Sequence, residues 1–273
     1  MDLPLSSAFT PALHWLDQAG STNELLAREA SGPSAADWPD LSVVVTDDQV
    51  AGKGRLGRVW KAPAGRCLAI SVLLRPVGAS GAPVPLERFG MLPLVVGVAM
   101  AQAVRSLVPA SVGPSVGIKW PNDVLIDDRK VCGILAELLP GGGGVVVGTG
   151  LNLSLTEQEL PTPLATSLAL AGAPDVTADV VLSAYLRSLG EVYRQWLAHD
   201  GDPEASGLLA AATAASATLG RPVRVELPGE VFRTGVARSL DATGRLVVDL
   251  DDSPDPLVVS AGDVTHLRHR DSR

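Results

Sequence analysis

Three glycines and four cations crowd one stretch of this 273-residue chain, Gln49-Val50-Ala51-Gly52-Lys53-Gly54-Arg55-Leu56-Gly57-Arg58-Val59-Trp60-Lys61. Glycine lets a backbone take positive φ and approach a ligand closely. Clustered ammonium and guanidinium groups beside exposed N–H groups suit a phosphate or a carboxylate. The whole chain is acidic, with 22 Lys+Arg against 30 Asp+Glu, so this positive loop is a local exception. Gly52-Lys53-Gly54-Arg55-Leu56-Gly57 also satisfies the G-x-G-x-x-G dinucleotide pattern. That pattern must open a helix and be followed by an acid about 20 residues on. Val59 to Gly65 is poor helix, and Val77 to Val84 carries no acid, so the dinucleotide reading fails. A Walker loop fails as well, because no Gly-Lys-Ser/Thr is present. Taken by itself, the loop could still be a flexible surface segment with solvated charges.

It does not stand by itself. Ser21-Thr22-Asn23, Gln49, the glycine-arginine loop through Trp60, Lys119-Trp120-Pro121-Asn122-Asp123, Asp128-Arg129-Lys130, Gly133-Ile134-Leu135, Gly148-Thr149-Gly150-Leu151-Asn152 and Ala165-Thr166-Ser167-Leu168 follow in one order. That series resembles the biotin–protein ligases, also called biotin–[acetyl-CoA-carboxylase] ligases or holocarboxylase synthetases. The likeness covers residues 13–170 by motif and the whole chain by architecture. One departure is visible: the family usually carries Arg where this chain has Lys53. The charge is kept but the planar fork is lost.

The resemblance implies two steps. Biotin and ATP, with Mg²⁺, give biotinyl-5′-adenylate and pyrophosphate; a lysine of a biotin carboxyl carrier protein then attacks the mixed anhydride. It also implies roles. Ser21, Thr22 and Gln49 would bond the ureido ring of biotin, with Asn23 beside them. Gly52, Lys53 and Gly54 would approach the carboxylate and the adenylate phosphate, mostly by backbone. Arg55 and Arg58 would balance charge and order the loop. Lys130 is the leading catalytic cation, with Gly133 near it. Trp120 would stack near adenine, Asn152 would contact it, and Asn122, Gly150 and Ala165 would complete the binding surface. Asp123 would hold Mg²⁺ or orient the acceptor lysine, and the sequence does not separate these. Trp60 would pack on the closed loop or lie in the core. The rival readings are a lipoate–protein ligase with the same adenylate logic, a noncatalytic biotin-binding regulator and a nucleotide-binding structural module.

The elements that must carry these groups are legible. Ser21-x-x-Glu24 is a capping box opening a helix to about Ala30. Leu41 to Thr46 and Cys67 to Arg75 read as strands, the second apolar enough to be covered on both faces. Pro93 to Val108 reads as a core helix. Val116 to Trp120, Val124 to Ile126, Lys130 to Leu139 and Val145 to Asn152 read as strands joined by tight turns, with Pro121 at the second turn position. Thr177 to Asp200 and Glu204 to Leu219 have helical spacing, and after Gly220 five short strands suggest a small barrel. The fold class is α+β. By resemblance it is a mainly antiparallel sheet with flanking helices, like class II aminoacyl-tRNA synthetases, plus a C-terminal SH3-like β-barrel. The expected domains are 1–218 and 219–273.

Cys67 and Cys132 have no metal or disulfide spacing and read as small buried hydrophobes. His14, His199, His266 and His269 make no metal pattern, and the last two read as solvated. The net charge of −8 argues against nonspecific nucleic-acid binding. The N-terminus lacks a secretory pattern, and the run Met91 to Met100 is too short to span a bilayer, so a cytoplasmic protein is expected. Some relatives carry an N-terminal DNA-binding domain; the twenty residues before Ser21 leave no room for one, so ligase activity without repression is expected. Monomer and homodimer are both open.

Overall fold

The apolar strands assemble on one seven-stranded sheet in the computed structural model, which describes residues 1–227, 229, 231–260 and 263–267. Its elements are β1 (Leu13–Trp15), α1 (Thr22–Ser31), β2 (Val43–Thr46), a short hairpin of β3 (Gly52–Lys53) and β4 (Val59–Trp60), β5 (Cys67–Leu74), α2 (Leu92–Leu107), β6 (Val116–Lys119), β7 (Asp123–Ile126), β8 (Arg129–Leu138), β9 (Val145–Asn152), α3 (Ala178–Leu197) and α4 (Leu208–Ala214). The strand order is β1-β2-β5-β9-β8-β7-β6. Only β1–β2 is parallel; every other pair is antiparallel.

Both faces of β5 are covered, as its sequence demands. Leu68, Ile70, Val72 and Leu74 join the large core under α2 and α3. Leu73 joins a smaller cluster with Leu26 and Ala30 of α1 and Val146 of β9. The helical stretch Leu86–Leu107 is apolar and long enough to cross a membrane by composition, but it lies mostly buried against this sheet and α3. Ser21 caps α1, with Oγ accepting from the Glu24 N–H. Thr177 caps α3 in the same way.

Three expectations change. β1 was not foreseen, since three residues are too short for a period to show. The helix expected over Glu204 to Leu219 shrinks to α4. Gly207 at its N-cap is left-handed (φ 74°), and the Asp202 carboxylate holds the N–H groups of Glu204 and Ala205 in a separate turn. At the other end Ser216 leaves the helix to bridge Ile118. The Trp120–Pro121 peptide is cis, so Pro121 is not the second residue of an ordinary turn.

The chain then builds a five-stranded antiparallel sheet: β10 (Pro222–Leu227), β11 (Val231–Leu240), β12 (Leu246–Leu250), β13 (Leu257–Val259) and β14 (Asp263–His266), ordered β13-β12-β11-β10-β14. A bulge between Ala237 and Ser239 bends β11. Val223, Val225, Ala237 and Val248 belong to the same contiguous core as α2.

Candidate active site

Small residues carve a cleft into the α1 face of the sheet. The register aligns Ala69, Gly150, Gly133 and Asp123 in one row across β5, β9, β8 and β7. The next row aligns Ser71, Gly148 and Leu135. A side chain at Gly148 would strike Asn23, and one at Gly150 would strike the indole of Trp60. These glycines therefore let α1 and Trp60 lie against strand backbone, with a cavity of about 550 Å³, open mouth included, between them.

A bulge aims Lys130 into this cleft. Cys132 and Ile134 face the core, so strict alternation would turn Lys130 the same way. The register of β7 and β8 slips instead, pairing Val124 with Cys132 but Leu125 with Lys130. Val131 takes the core position and Lys130 swings to the cleft. Its Nζ lies 2.7 Å from Asp123 Oδ1 and would touch any Cβ placed at Gly133, at 2.8 Å. The backbone of Lys130 is fastened by Leu164 and Thr166, through N–H to O contacts of 2.6 and 2.8 Å, and Ala165 pairs with it as a bridge.

The other end of the cleft is the N-terminus of α1. Gln49 Oε1 accepts from the Thr22 N–H (2.9 Å) and lies 3.0 Å from its hydroxyl. Thr22 and Ser71 hydroxyls are 2.8 Å apart, and Ser71 Oγ donates to Asn23 Oδ1 at 2.6 Å. Asn23 Nδ2 donates to Glu137 Oε2 at 2.6 Å and to Leu135 O at 3.2 Å.

The glycine-arginine loop forms a flap over the cleft. Gly52 packs against Trp60 and Gln49, where a Cβ would have no room. Arg55 donates to Asn122 Oδ1 at 3.0 Å, tying the flap to the turn before β7. Asn122 Nδ2 in turn holds Ile134 O at 2.8 Å. Leu56 and Val59 are exposed at 73% and 70%, so the flap's outer side is not packed. The Lys53 ammonium, at the edge of the cleft, pairs with Glu24. That contact raises the ammonium pKa.

A second, larger cleft of about 2090 Å³, open mouth included, meets the first at Gly54, Arg55, Trp60, Asn122, Lys130 and Gly150. Arg55, Arg58, Lys61, Lys119, Lys130 and Arg221 line it against Asp123, Asp128 and Glu159, so cations outnumber carboxylates there in an otherwise acidic protein.

Several expected residues sit elsewhere or do other work. Trp120 is 4% exposed, and its Nε1–H donates to Gly244 O of the second sheet at 2.9 Å, which leaves little ring face for a base. Asn152 lines the larger cleft, but its Nδ2 is spent on Thr166 O at 2.8 Å. Trp60 is neither core nor free: it walls the cleft against Gly150. Asp123 does not fit the holder of a resident Mg²⁺. Its Oδ1 is beside the Lys130 ammonium, and no three His, Cys, Asp or Glu converge among the described residues. His266 is half-buried against Thr218, not solvated, and burial pushes it down to about 4. His269 lies outside the described residues. Cys67 and Cys132 are buried, and burial raises both thiols, Cys67 to about 12. Sequence reasoning passes over Ala69, Ser71 and Glu137, and it gives Gly148 no role of its own. Small residues at alternate positions of two apolar strands were the available signal.

Residues 18–153 match the Biotin/lipoate A/B protein ligase family, and residues 218–267 match the Biotin protein ligase C terminal domain. The biotin–[acetyl-CoA-carboxylase] ligase of Mycobacterium tuberculosis is 41% identical over 253 residues, covering 92% of this chain and 87% of that protein. The chain belongs to the biotin protein ligases. The Paracoccus denitrificans biotin–[acetyl-CoA-carboxylase] ligase is 31% identical over 85% of this chain and 92% of its own length. The bifunctional ligase/repressor of Bacillus spizizenii is 32% identical, but the match spans 54% of its length. Among solved structures, the biotin protein ligase from Aquifex aeolicus in complex with biotin and ATP superposes with a TM-score of 0.71 at 25% identity, covering 94% of this chain and 99% of that one. The likeness to that Aquifex aeolicus enzyme thus runs over nearly the whole length of both chains.

Proposed function

We propose that this protein activates biotin with ATP and transfers the biotinyl group to a lysine of a biotin carboxyl carrier protein. The observation that carries the reading is the meeting of two clefts at Lys130: a narrow one closed by α1 and a broad cationic one. The narrow cleft suits the bicyclic ring and valeryl chain of biotin; the broad one suits a nucleotide.

The first step brings a carboxylate to a triphosphate. Two like charges 4 Å apart repel by about 4 kcal/mol at an effective dielectric of 20. In our reading Lys130, Arg55 and Arg58 offset that repulsion, while backbone N–H groups of Gly52, Lys53 and Gly54 approach the joined carboxylate and phosphate. Ser21, Thr22, Asn23 and Gln49 hold the ring. Asp123 orients Lys130 rather than holding a metal; magnesium would arrive on the nucleotide's own phosphates, which is how Mg²⁺ is ordinarily held. Trp60, Asn122 and Gly150 form the wall between the substrates. Gly133 makes room for Lys130, and Ala165 fixes its backbone. Trp120 and Asn152 support the larger cleft from behind. The acyl adenylate is water-sensitive, so the flap must cover it between the two steps.

The finer architecture belongs to the same proposal. Residues 1–218 form a ligase domain of the class II aminoacyl-tRNA-synthetase type, and residues 219–273 form an SH3-like barrel. The bulged β11 supports that curl. The protein would work in the cytoplasm without repressor activity or nucleic-acid partner. The deciding experiment is incubation with biotin, ATP, Mg²⁺ and a carrier domain, scored by mass. One added biotinyl group is expected; none, with no pyrophosphate released, would overturn the reading. Lipoate in place of biotin should yield no product.

A further inference from the structure

We infer that Glu137, a residue outside the expected ligand contacts, sets the hydrogen-bond polarity with which the cleft reads the ring of its ligand. The inference rests on the biotin reading above. It follows from counting protons along a chain of contacts that is buried at Ser71 and partly buried at Glu137.

Glu137 Oε2 accepts from Asn23 Nδ2 at 2.6 Å, and Leu135 O accepts from the same nitrogen at 3.2 Å. A carboxylate and a carbonyl can only accept. The Asn23 amide therefore cannot flip, and its oxygen must face Ser71. Ser71 has one hydroxyl proton and spends it on Asn23 Oδ1 at 2.6 Å. Its 2.8 Å contact with Thr22 therefore has only the Thr22 proton to use. The one proton of Thr22 is drawn to Ser71 or to Gln49 Oε1 at 3.0 Å. Either way it is used inside the protein, and what Thr22 leaves for the cleft is a lone pair.

Gln49 is fixed the other way. Its Oε1 faces the Thr22 N–H at 2.9 Å, so its amide nitrogen is turned toward Gly52. The cleft end thus offers an acceptor from Thr22 and a donor from Gln49. A cyclic urea, with N–H donors flanking a carbonyl, matches that order; a dithiolane, which has no N–H, does not. A buried site built to pair a donor rejects a ligand lacking it, because its own polar group is left unpaired. Glu137 is therefore a positioning residue, acting through Asn23 and Ser71. Its carboxylate anchors a relay that would otherwise have two directions.

The test is calorimetric titration of biotin and, separately, of ATP into the wild type, Glu137→Leu, Glu137→Gln, Thr22→Val and the Glu137→Leu/Thr22→Val double variant. Glu137→Leu should weaken biotin by about ten-fold and leave ATP unchanged, since the loss of one oriented hydrogen bond is of that order. Glu137→Gln, which can still accept from Asn23, should recover most of the affinity. In the Thr22→Val background, Glu137→Leu should cost nothing further, because the relay no longer ends on a lone pair. Wild-type affinity in Glu137→Leu, or costs that simply add in the double variant, would overturn the relay. Equal weakening of biotin and ATP by Glu137→Leu would also overturn it, as the sign of a merely structural residue. A wild type that takes up no biotin would instead overturn the functional reading itself, and with it the ligand this relay selects.

Discussion

Lys130 Nζ lies 2.7 Å from Asp123 Oδ1, and the glycine at position 133 is what lets it reach there. The pair joins the first residue of β7 to the start of β8 at the seam of two clefts. Asp123 holds the ammonium in place before a substrate arrives, which makes the cation preorganised rather than recruited. Lys130→Ala should lower biotin-dependent pyrophosphate release by at least about 100-fold, the scale of losing a preorganised charge. Its melting temperature should stay close to wild type, because the Lys130 side chain is partly exposed. Pyrophosphate release at the wild-type rate would remove Lys130 from the first step.

Gly133→Ala tests placement without touching charge. The added methyl would sit 2.8 Å from Nζ and 2.9 Å from Cε of Lys130, so that flexible side chain must move aside. The fold should tolerate this, since no backbone atom is struck. A displacement near 1 Å can cost about 100-fold in rate. The expected result is a kcat lowered between 10- and about 100-fold at unchanged stability, with biotin affinity little altered. A fall in melting temperature matching the loss of activity would mean that the methyl disturbs packing instead.

Much of this arrangement is legible in the amino-acid sequence. The Ser21 capping box gave the start of α1, because capping is local chemistry. The nearly continuous apolar run of β5 announces a strand covered on both sides, as it is. The cationic loop stands out by residue type and Gln49 and Lys130 by the family resemblance; Gln49, Lys53, Gly54, Arg55 and Lys130 line the same small cleft. What escaped was non-local. Nothing in the order Arg129-Lys130-Val131-Cys132 shows the register slip that turns Lys130 away from the core. Glu204 to Leu219 is rich in alanine, so propensity favoured one long helix, yet Gly207 and the Asp202 cap divided it. The family resemblance implies a stacking role for Trp120. Its indole N–H finds its partner 124 residues later, in a sheet whose docking the sequence does not display.

The flap carries its own test. Arg55 and Arg58 are cleavage sites for trypsin on a segment whose outer side chains, Leu56 and Val59, are largely exposed. The Arg55–Asn122 contact, the Lys53–Glu24 pair and the packing of Gly52 on Trp60 tie it to the body of the protein. Binding of biotin and ATP should add contacts through Gly52, Lys53 and Gly54 and slow cleavage after Arg55 and Arg58 by about ten-fold or more, because proteolysis tracks the population of the open form. Cleavage at one rate with and without both substrates would show that the flap does not close on them.

The second sheet should make itself felt through pH. His266 lies 3.0 Å from Thr218 Oγ1, and Thr218 Oγ1 accepts the Trp120 N–H, so this imidazole sits at the junction of the two sheets. Burial pushes its pKa down from 6.5 to about 4, helped by the cations of Lys119 and Arg221 and opposed by Asp128. Between those values the unfolded chain binds a proton that the folded chain refuses. Stability therefore stands at its full value above about pH 6.5 and declines as pH falls toward 4, by a slope of at most one proton. His266→Gln keeps an acceptor for Thr218 and removes the titration. Urea midpoints measured from pH 7 to pH 5 should fall for the wild type and fall less for His266→Gln. Parallel curves for the two proteins would show that His266 does not link this junction to pH.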